Sequence, residues 1–255
     1  MAISNKINEA LSPTNKRFNI KFILAEVFLI TAGILIALAI DNWNTDRAEQ
    51  EMIEKYLIQM HKEFYNEIDR IEGERKQFYK SSLDKNLRAL KIIKNNQIDS
   101  ISVLENLLVG ISNPLSTSAN IPITKEFLKQ NLLYKIKNEN LKNELKMFPT
   151  YLEGNDYLID FETNQYINTI EPFVTSNMNY TQLLTSYRKP YMVDGGPKTD
   201  FKRLMKGYEL WNIVSYKREW LLAYSGALDG IGFVLNKLKK EIENELGDKL
   251  TIKNQ

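Results

Sequence analysis

The sequence predicts an all-α protein: one N-terminal transmembrane helix continuing into a long helix of a periplasmic helical bundle. Three observations predict it. From Phe22 to Ile40, nineteen residues carry a single charge, Glu26, close to the roughly 20 apolar residues a helix needs to cross a bilayer core. Beyond it, Ile53, Leu57, Met60, Phe64, Ile68, Ile71, Arg75 and Phe78 recur at helical spacing with only Arg75 polar, an amphipathic stripe of nearly heptad period. Leu221, Tyr224, Leu228, Ile231, Leu235, Leu238, Ile242 and Leu246 form a second such stripe, and no stretch alternates with strand period.

The span is placed at 22–40, between a cytoplasmic segment 1–21 and a juxtamembrane helix 41–95. Lys6, Lys16, Arg17 and Lys21 precede the span against one acid, Glu9, whereas Asp41, Asp46, Glu49, Glu51 and Glu54 follow it with Arg47 and Lys55. Basic flanks stay on the cytoplasmic side, so the reading is N-in, with the remainder in the periplasm of a cell whose inner (cytoplasmic) membrane holds the span. Asn42, Trp43 and Asn44 are the interfacial anchor, because an indole favours the headgroup level. A cleaved signal peptide competes, since Ala37-Leu38-Ala39 fits a small-x-small cleavage site. The apolar run is longer than an ordinary signal core and nothing turn-like follows, so a retained anchor is expected.

Glu26 raises the question of what an acid does one turn into the span. On a helix, Glu26, Ile30, Gly33 and Ala37 fall on one stripe, and Gly33-xxx-Ala37 is a small-xxx-small pair that lets another helix approach. The favoured reading is a membrane helix–helix contact through these four residues. The competing readings are an edge acid facing headgroups and, further behind, a proton relay.

Downstream, 96–247 reads as the helical bundle and 248–255 as a C-terminal tail. The juxtamembrane helix should end at "NNQIDS", a short helix should cover Ser102–Ile111, and "SNPLSTSANIP" is a loop. Thr124 should open a helix burying Phe127, Leu128, Leu132, Leu133 and Ile136. "NEN" at 138–140 is a cap before a largely helical stretch reaching Asn177, with Pro149 a kink or break. Tyr187–Asp200 is a turn-rich link, and Asp200 or Thr199 should cap the last helix, ending near Gly247. "WLLAYSGALDGIGFVL" contains Asp229 and the stripe runs on past it, so a second span is not expected. Gly226-xxx-Gly230 is read as close packing inside the bundle.

The composition narrows the function classes. The formal net charge of +2 is the difference of 34 basic and 32 acidic residues, which argues against nucleic acid as a partner. Zero cysteines remove disulfides, thiolate catalysis and Cys-held zinc. A single histidine, His61, removes multi-histidine metal sites, and its place beside Met60 suits a boundary residue. No phosphate loop, HExxH, EF-hand or nucleophile elbow is present, so no cofactor, metal or catalytic residue is assigned. Nine aromatics, Phe148, Tyr151, Tyr157, Phe161, Tyr166, Phe173, Tyr180, Tyr187 and Tyr191, crowd one region; packing is the expected role, a partner surface or ligand pocket the other.

The block "AEVFLITAGILIALAIDNWN" resembles a family of uncharacterised single-pass inner-membrane proteins widespread in Bacteroidota. The matching positions are Glu26, Leu29, Gly33 to Leu38, Ile40 and Asn42 to Asn44; Ala25 departs from the family's usual glycine. "YKIKNENLKNELKMF" and "FKRLMKGYELWN" are more weakly similar to its later elements. The resemblance implies membrane retention, a periplasmic helical domain and a specific role for Glu26 and the Asn-Trp-Asn segment, and it brings no activity. The functional expectation is a non-enzymatic interaction or scaffold protein, engaging its own copy or another inner-membrane protein. The alternative is a periplasmic sensory or ligand-binding module relaying to a membrane partner through the continuous helix, so a small-molecule ligand stays open. An enzyme ranks third.

Overall fold

The computed structural model describes residues 20–252 except 131, 194 and 248, with side chains from Leu24 to Leu250. The basic segment 1–19, on which the orientation reading rests, lies outside the described residues, as does the end of the tail. Every element is helical: α1 Ile20–Arg70, a π segment Ile71–Arg75, α2 Lys76–Lys94, α3 Ile101–Leu107, α4 Pro122–Lys129, α5 Glu139–Gln165, a second π segment Tyr166–Ile170, α6 Glu171–Asn177, α7 Phe201–Leu204, α8 Tyr208–Leu246 and α9 Lys249–Ile252. Short 3-10 turns join several of them, and no strand occurs among the described residues. The chain divides into two compact units, one ending at Met52 and one beginning at Ile53.

The described part of the first unit is α1 up to Met52, and it contains the apolar run. Of all described helices, only the one containing it is long and apolar enough to cross a membrane, and its apolar window is not buried by protein.

In the second unit, the stripe on α8 packs as its spacing dictates: Leu221, Tyr224, Leu228, Ile231, Leu235, Leu238, Ile242 and Leu246 are all buried. They join Ile53, Leu57, Met60 and Phe64 of α1, Phe127 of α4, and Leu141, Leu145 and Phe148 of α5 in one apolar cluster. A second cluster gathers Ala89, Ile92 and Ile93 of α2, Leu104 of α3, Val174 of α6, and Leu210, Ile213 and Val214 of α8. The apolar stretch of α8 around Tyr224 is therefore bundle core and not a second span.

The caps are local chemistry. Glu63 of α1 accepts from the backbone N–H groups of Ile123 (2.7 Å) and Thr124 (3.0 Å) and from the Thr124 hydroxyl (2.6 Å), closing the N-terminus of α4 from a neighbouring helix. The Asn138 side chain accepts from Leu141 N–H at 3.1 Å at the start of α5. Asp200 accepts from Arg203 N–H at 3.0 Å and caps α7.

Several expectations are corrected. The stripe of α1 does not reach Phe78, which is 55% exposed, while Tyr79 is 3% exposed. The π segment inserts one extra residue per turn, so the face that would have carried Phe78 carries Tyr79. The helix opened at Pro122 stops at Lys129; Leu132 and Ile136 are still buried, brought in around a 3-10 turn, while Leu128 and Leu133 are only partly covered. α3 ends at Leu107, short of Ile111. Asp200 caps a separate turn, and the last long helix starts only at Tyr208, after Gly207. Of the kink or break expected at Pro149, the break does not occur, because α5 continues through it. Gly226 faces open space, whereas a methyl group at Gly230 would overlap the Tyr151 hydroxyl. Of the nine crowded aromatics, only Phe148 is fully buried; Tyr157, Phe161, Tyr187 and Tyr191 are among those exposed.

Candidate functional site

Two arrangements stand out, one in each unit. In the first, Glu26, Ile30, Gly33 and Ala37 are all exposed on the helix, and nothing lies within 4 Å of where a Gly33 Cβ would sit. The structure thus puts the four at helical spacing on one element, each exposed among the described residues. Asn42, Trp43 and Asn44 are exposed too. The Arg47 guanidinium stands 6.0 Å from the Trp43 ring centroid and pairs with Glu51 at 3.0 Å. Leu24, Val27, Phe28, Leu29, Ile30, Ile34, Leu35, Ile36, Leu38 and Ile40 are each more than half exposed. Covering a large apolar side chain is worth roughly 1.5–3 kcal/mol, so wetting this run costs on the order of 10–20 kcal/mol, as much as a whole domain's stability. An acid at mid-bilayer costs only about 2.5–3.5 kcal/mol and less near the edge. The apolar term wins, and Glu26 does not forbid a lipid environment.

The second arrangement is a polar layer between the two apolar clusters of the second unit. Its organiser is the loop Ser112–Asn120, which has no regular structure yet buries Leu115 and Thr117 while exposing Ser116 and Ser118. Backbone carbonyls inside a protein need donors, and here side chains supply them. Lys217 donates to Asn113 O, Tyr79 to Ser116 O at 3.1 Å, and Arg75 to Ser118 O at 2.8 Å. The Thr117 hydroxyl donates to Asn155 Oδ1 at 2.8 Å. Arg75 in turn lies 3.6 Å from Glu67, which also pairs with Arg70.

At the centre of the layer, Glu162 of α5 and Lys217 of α8 are 1% and 4% exposed and their charged atoms stand 3.8 Å apart. Neither Glu162 oxygen accepts a well-aligned hydrogen bond, and Asn86 Oδ1 and the Tyr224 hydroxyl are likewise without a partner. Burial pushes the Glu162 carboxyl above the usual carboxylate range, offset in part by the Lys217 ammonium and the Leu115 amide. Burial pulls Lys217 down to about 8, with Glu162 acting against it. Burial also pushes the Tyr79 hydroxyl up to about 12. Desolvation thus outweighs the attraction within the pair, and each partner is drawn toward its neutral form.

Of these layer residues only Arg75 shows in the sequence, as the polar member of the first stripe; Lys217, Glu162 and Asn86 carry no motif. The signal that could have found them is a polar residue in an apolar phase: Lys217 lies between Val214 and Leu221, Glu162 between Leu158 and Tyr166, and Asn86 between Tyr79 and Ala89. His61 is where its neighbourhood suggested, at the rim, with Nε2 2.9 Å from Glu243.

A larger, mostly apolar cavity of about 510 Å³ opens between α5 and α8, lined by Met147, Phe148, Tyr151, Leu158, Ala227 and Val234 among others. Its volume is in the range of small-molecule pockets. No family model, curated protein or solved structure matches the chain.

Proposed function

We propose that this chain is a non-enzymatic, single-span inner-membrane protein whose helical unit beyond the span serves as an interaction or scaffold module in the periplasm. The observation that carries the reading is the exposed apolar run from Leu24 to Ile40: only lipid or another apolar helix removes its hydration cost. The stripe of Glu26, Ile30, Gly33 and Ala37 supports a helix partner, either a second copy or another membrane protein. Small residues permit close backbone approach, and a carboxylate at the edge of hydrocarbon gains from a polar group opposite. Asn42, Trp43 and Asn44 fit the role of interfacial anchor. The experiment is alkaline carbonate extraction of native membranes, with blue-native electrophoresis of Glu26→Gln and Gly33→Leu beside the wild type. Retention in the pellet and a smaller complex for Gly33→Leu are expected. Release into the supernatant overturns the anchor, and unchanged complexes for both variants overturn the membrane-face contact.

The second reading, a sensory or ligand-binding module acting on a membrane partner, draws on the cavity between α5 and α8. Stabilisation of the full-length protein by a small molecule, lost on filling the cavity with Ala227→Phe, favours it over the scaffold reading.

A further inference from the structure

The cavity between α5 and α8 has apolar walls, Phe148, Leu158, Ala227 and Val234 among them. Two side chains one turn apart on the same face of α5, Tyr151 and Asn155, bring polar atoms to it. Asn155 Oδ1 accepts from the Thr117 hydroxyl at 2.8 Å, while its Nδ2 donates to nothing among the described residues. Asn155 keeps 8% of its surface, and Nδ2 is not one of the side-chain atoms sealed off without a partner. The amide nitrogen is therefore within reach of a molecule in the cavity. Tyr151 spans from α5 to α8, its hydroxyl filling the space that a Cβ on Gly230 would need, and it adds a second donor. Ligand pockets are mostly apolar with a few polar groups that fix orientation; here those groups are neutral donors, which call for an acceptor.

Charge and shape narrow the ligand further. Glu144 is the one charged side chain among the described lining residues, and Lys237 holds it at 2.6 Å. No unpaired charge is left to receive an ion, and burying an unpaired ion costs far more than burying a neutral group. Along α5 the lining runs from Glu144 to Leu158, about 21 Å of helix. Spread over that length, about 510 Å³ leaves a mean cross-section of about 25 Å², far slimmer than a helix about 10 Å across. The cavity admits a chain and excludes a partner helix.

We infer that this cavity binds an uncharged, medium-chain carbonyl compound, a ketone or an ester, its carbonyl oxygen accepting from Asn155 Nδ2 and its alkyl chain lying along Ala227, Phe148 and Val234. The inference rests on the ligand-binding reading of the cavity and names the ligand's chemistry; it is independent of the membrane anchor.

The test is carbon NMR of 2-octanone labelled with carbon-13 at its carbonyl, titrated into the full-length protein in detergent micelles. A carbonyl that accepts a hydrogen bond resonates downfield of the same ketone dissolved in the micelle. A saturable downfield shift is expected with the wild type and none with Ala227→Phe, a comparison in which partition into the micelle cancels. Asn155→Leu/Thr117→Val removes both partners of the buried hydrogen bond together. It should keep the helical circular dichroism, bind about tenfold more weakly and lose the downfield shift. Octanoate and octylammonium should not displace the ketone. No saturable shift with the wild type overturns the inference, an answer that needs no variant to fold. An unchanged shift in either folded variant also overturns it. Stabilisation of the wild type by octanoate or octylammonium instead of the ketone, blocked by Ala227→Phe, would overturn the neutral carbonyl class while the ligand-binding reading stood. Failure of the ketone together with every charged analogue would take that reading down as well.

Discussion

Lys217 should give this protein an alkaline stability profile that a surface lysine cannot. Its ammonium is almost wholly buried and burial pulls it from the usual 10.5 to about 8. Between those two pH values the unfolded chain still holds the proton and the folded chain has released it. The unfolded state therefore binds more protons in that window, and stability rises with pH. The drop of about 2.5 pH units, at 1.36 kcal/mol each, gives a rise of about 3 kcal/mol between pH 8 and 10.5. For a unit of this size that corresponds to about 6–12 °C in Tm. The assay is thermal unfolding of the full-length protein in detergent, followed by circular dichroism at pH 8, 9 and 10. Glu162→Gln/Lys217→Met is the reference, because surface lysines and tyrosines titrate in both proteins and cancel in the difference. The wild type should gain on the reference as pH rises. Lys217→Met alone should lose about 3–5 kcal/mol at neutral pH, since it leaves Glu162 buried without its partner, and adding Glu162→Gln should restore most of that. Parallel curves for wild type and double variant would refute the buried-charge argument.

Three further outcomes rest on single contacts, each read by urea unfolding of the full-length protein. Glu63→Ala removes the carboxylate that meets two N–H groups and a hydroxyl at the start of α4, and about 3 kcal/mol should be lost; a change within a few tenths would mean that water replaces it. Thr117→Val keeps the shape but takes the donor from buried Asn155 Oδ1, for a loss of about 1–3 kcal/mol. Gly110 has φ +80°, so Gly110→Ala should cost about 1–2 kcal/mol through backbone strain, where a neutral result would show that the loop relaxes to negative φ.

The long helices were legible in the sequence because their information is periodic. The eight-residue stripe of α8 is buried at every position, and "NNQIDS" ends α2 where Asn96 takes a positive φ. What periodicity misses is a change of period. An inserted π residue at Ile71–Arg75 is invisible to a fixed 3.6-residue template, so Phe78 and Tyr79 exchange sides. The aromatic-rich region misleads for another reason: composition gives the apolar content of a segment, and not whether a facing element is present to cover Tyr157 or Tyr187. The polar layer is the least legible part. Glu162, Asn86 and Lys217 lie on separate elements, and their meeting is set by tertiary packing around an irregular loop.

The measurement that tests the anchor most directly uses the absence of native cysteine. Single substitutions Phe28→Cys, Leu35→Cys, Asn44→Cys and Asp46→Cys would be labelled in intact cells, and again in lysed membranes, with a membrane-impermeant maleimide. The account predicts that Phe28→Cys and Leu35→Cys resist the reagent in both preparations, while Asn44→Cys and Asp46→Cys react from outside the inner membrane. Labelling at all four positions, or at Asn44→Cys and Asp46→Cys only after lysis, would contradict it.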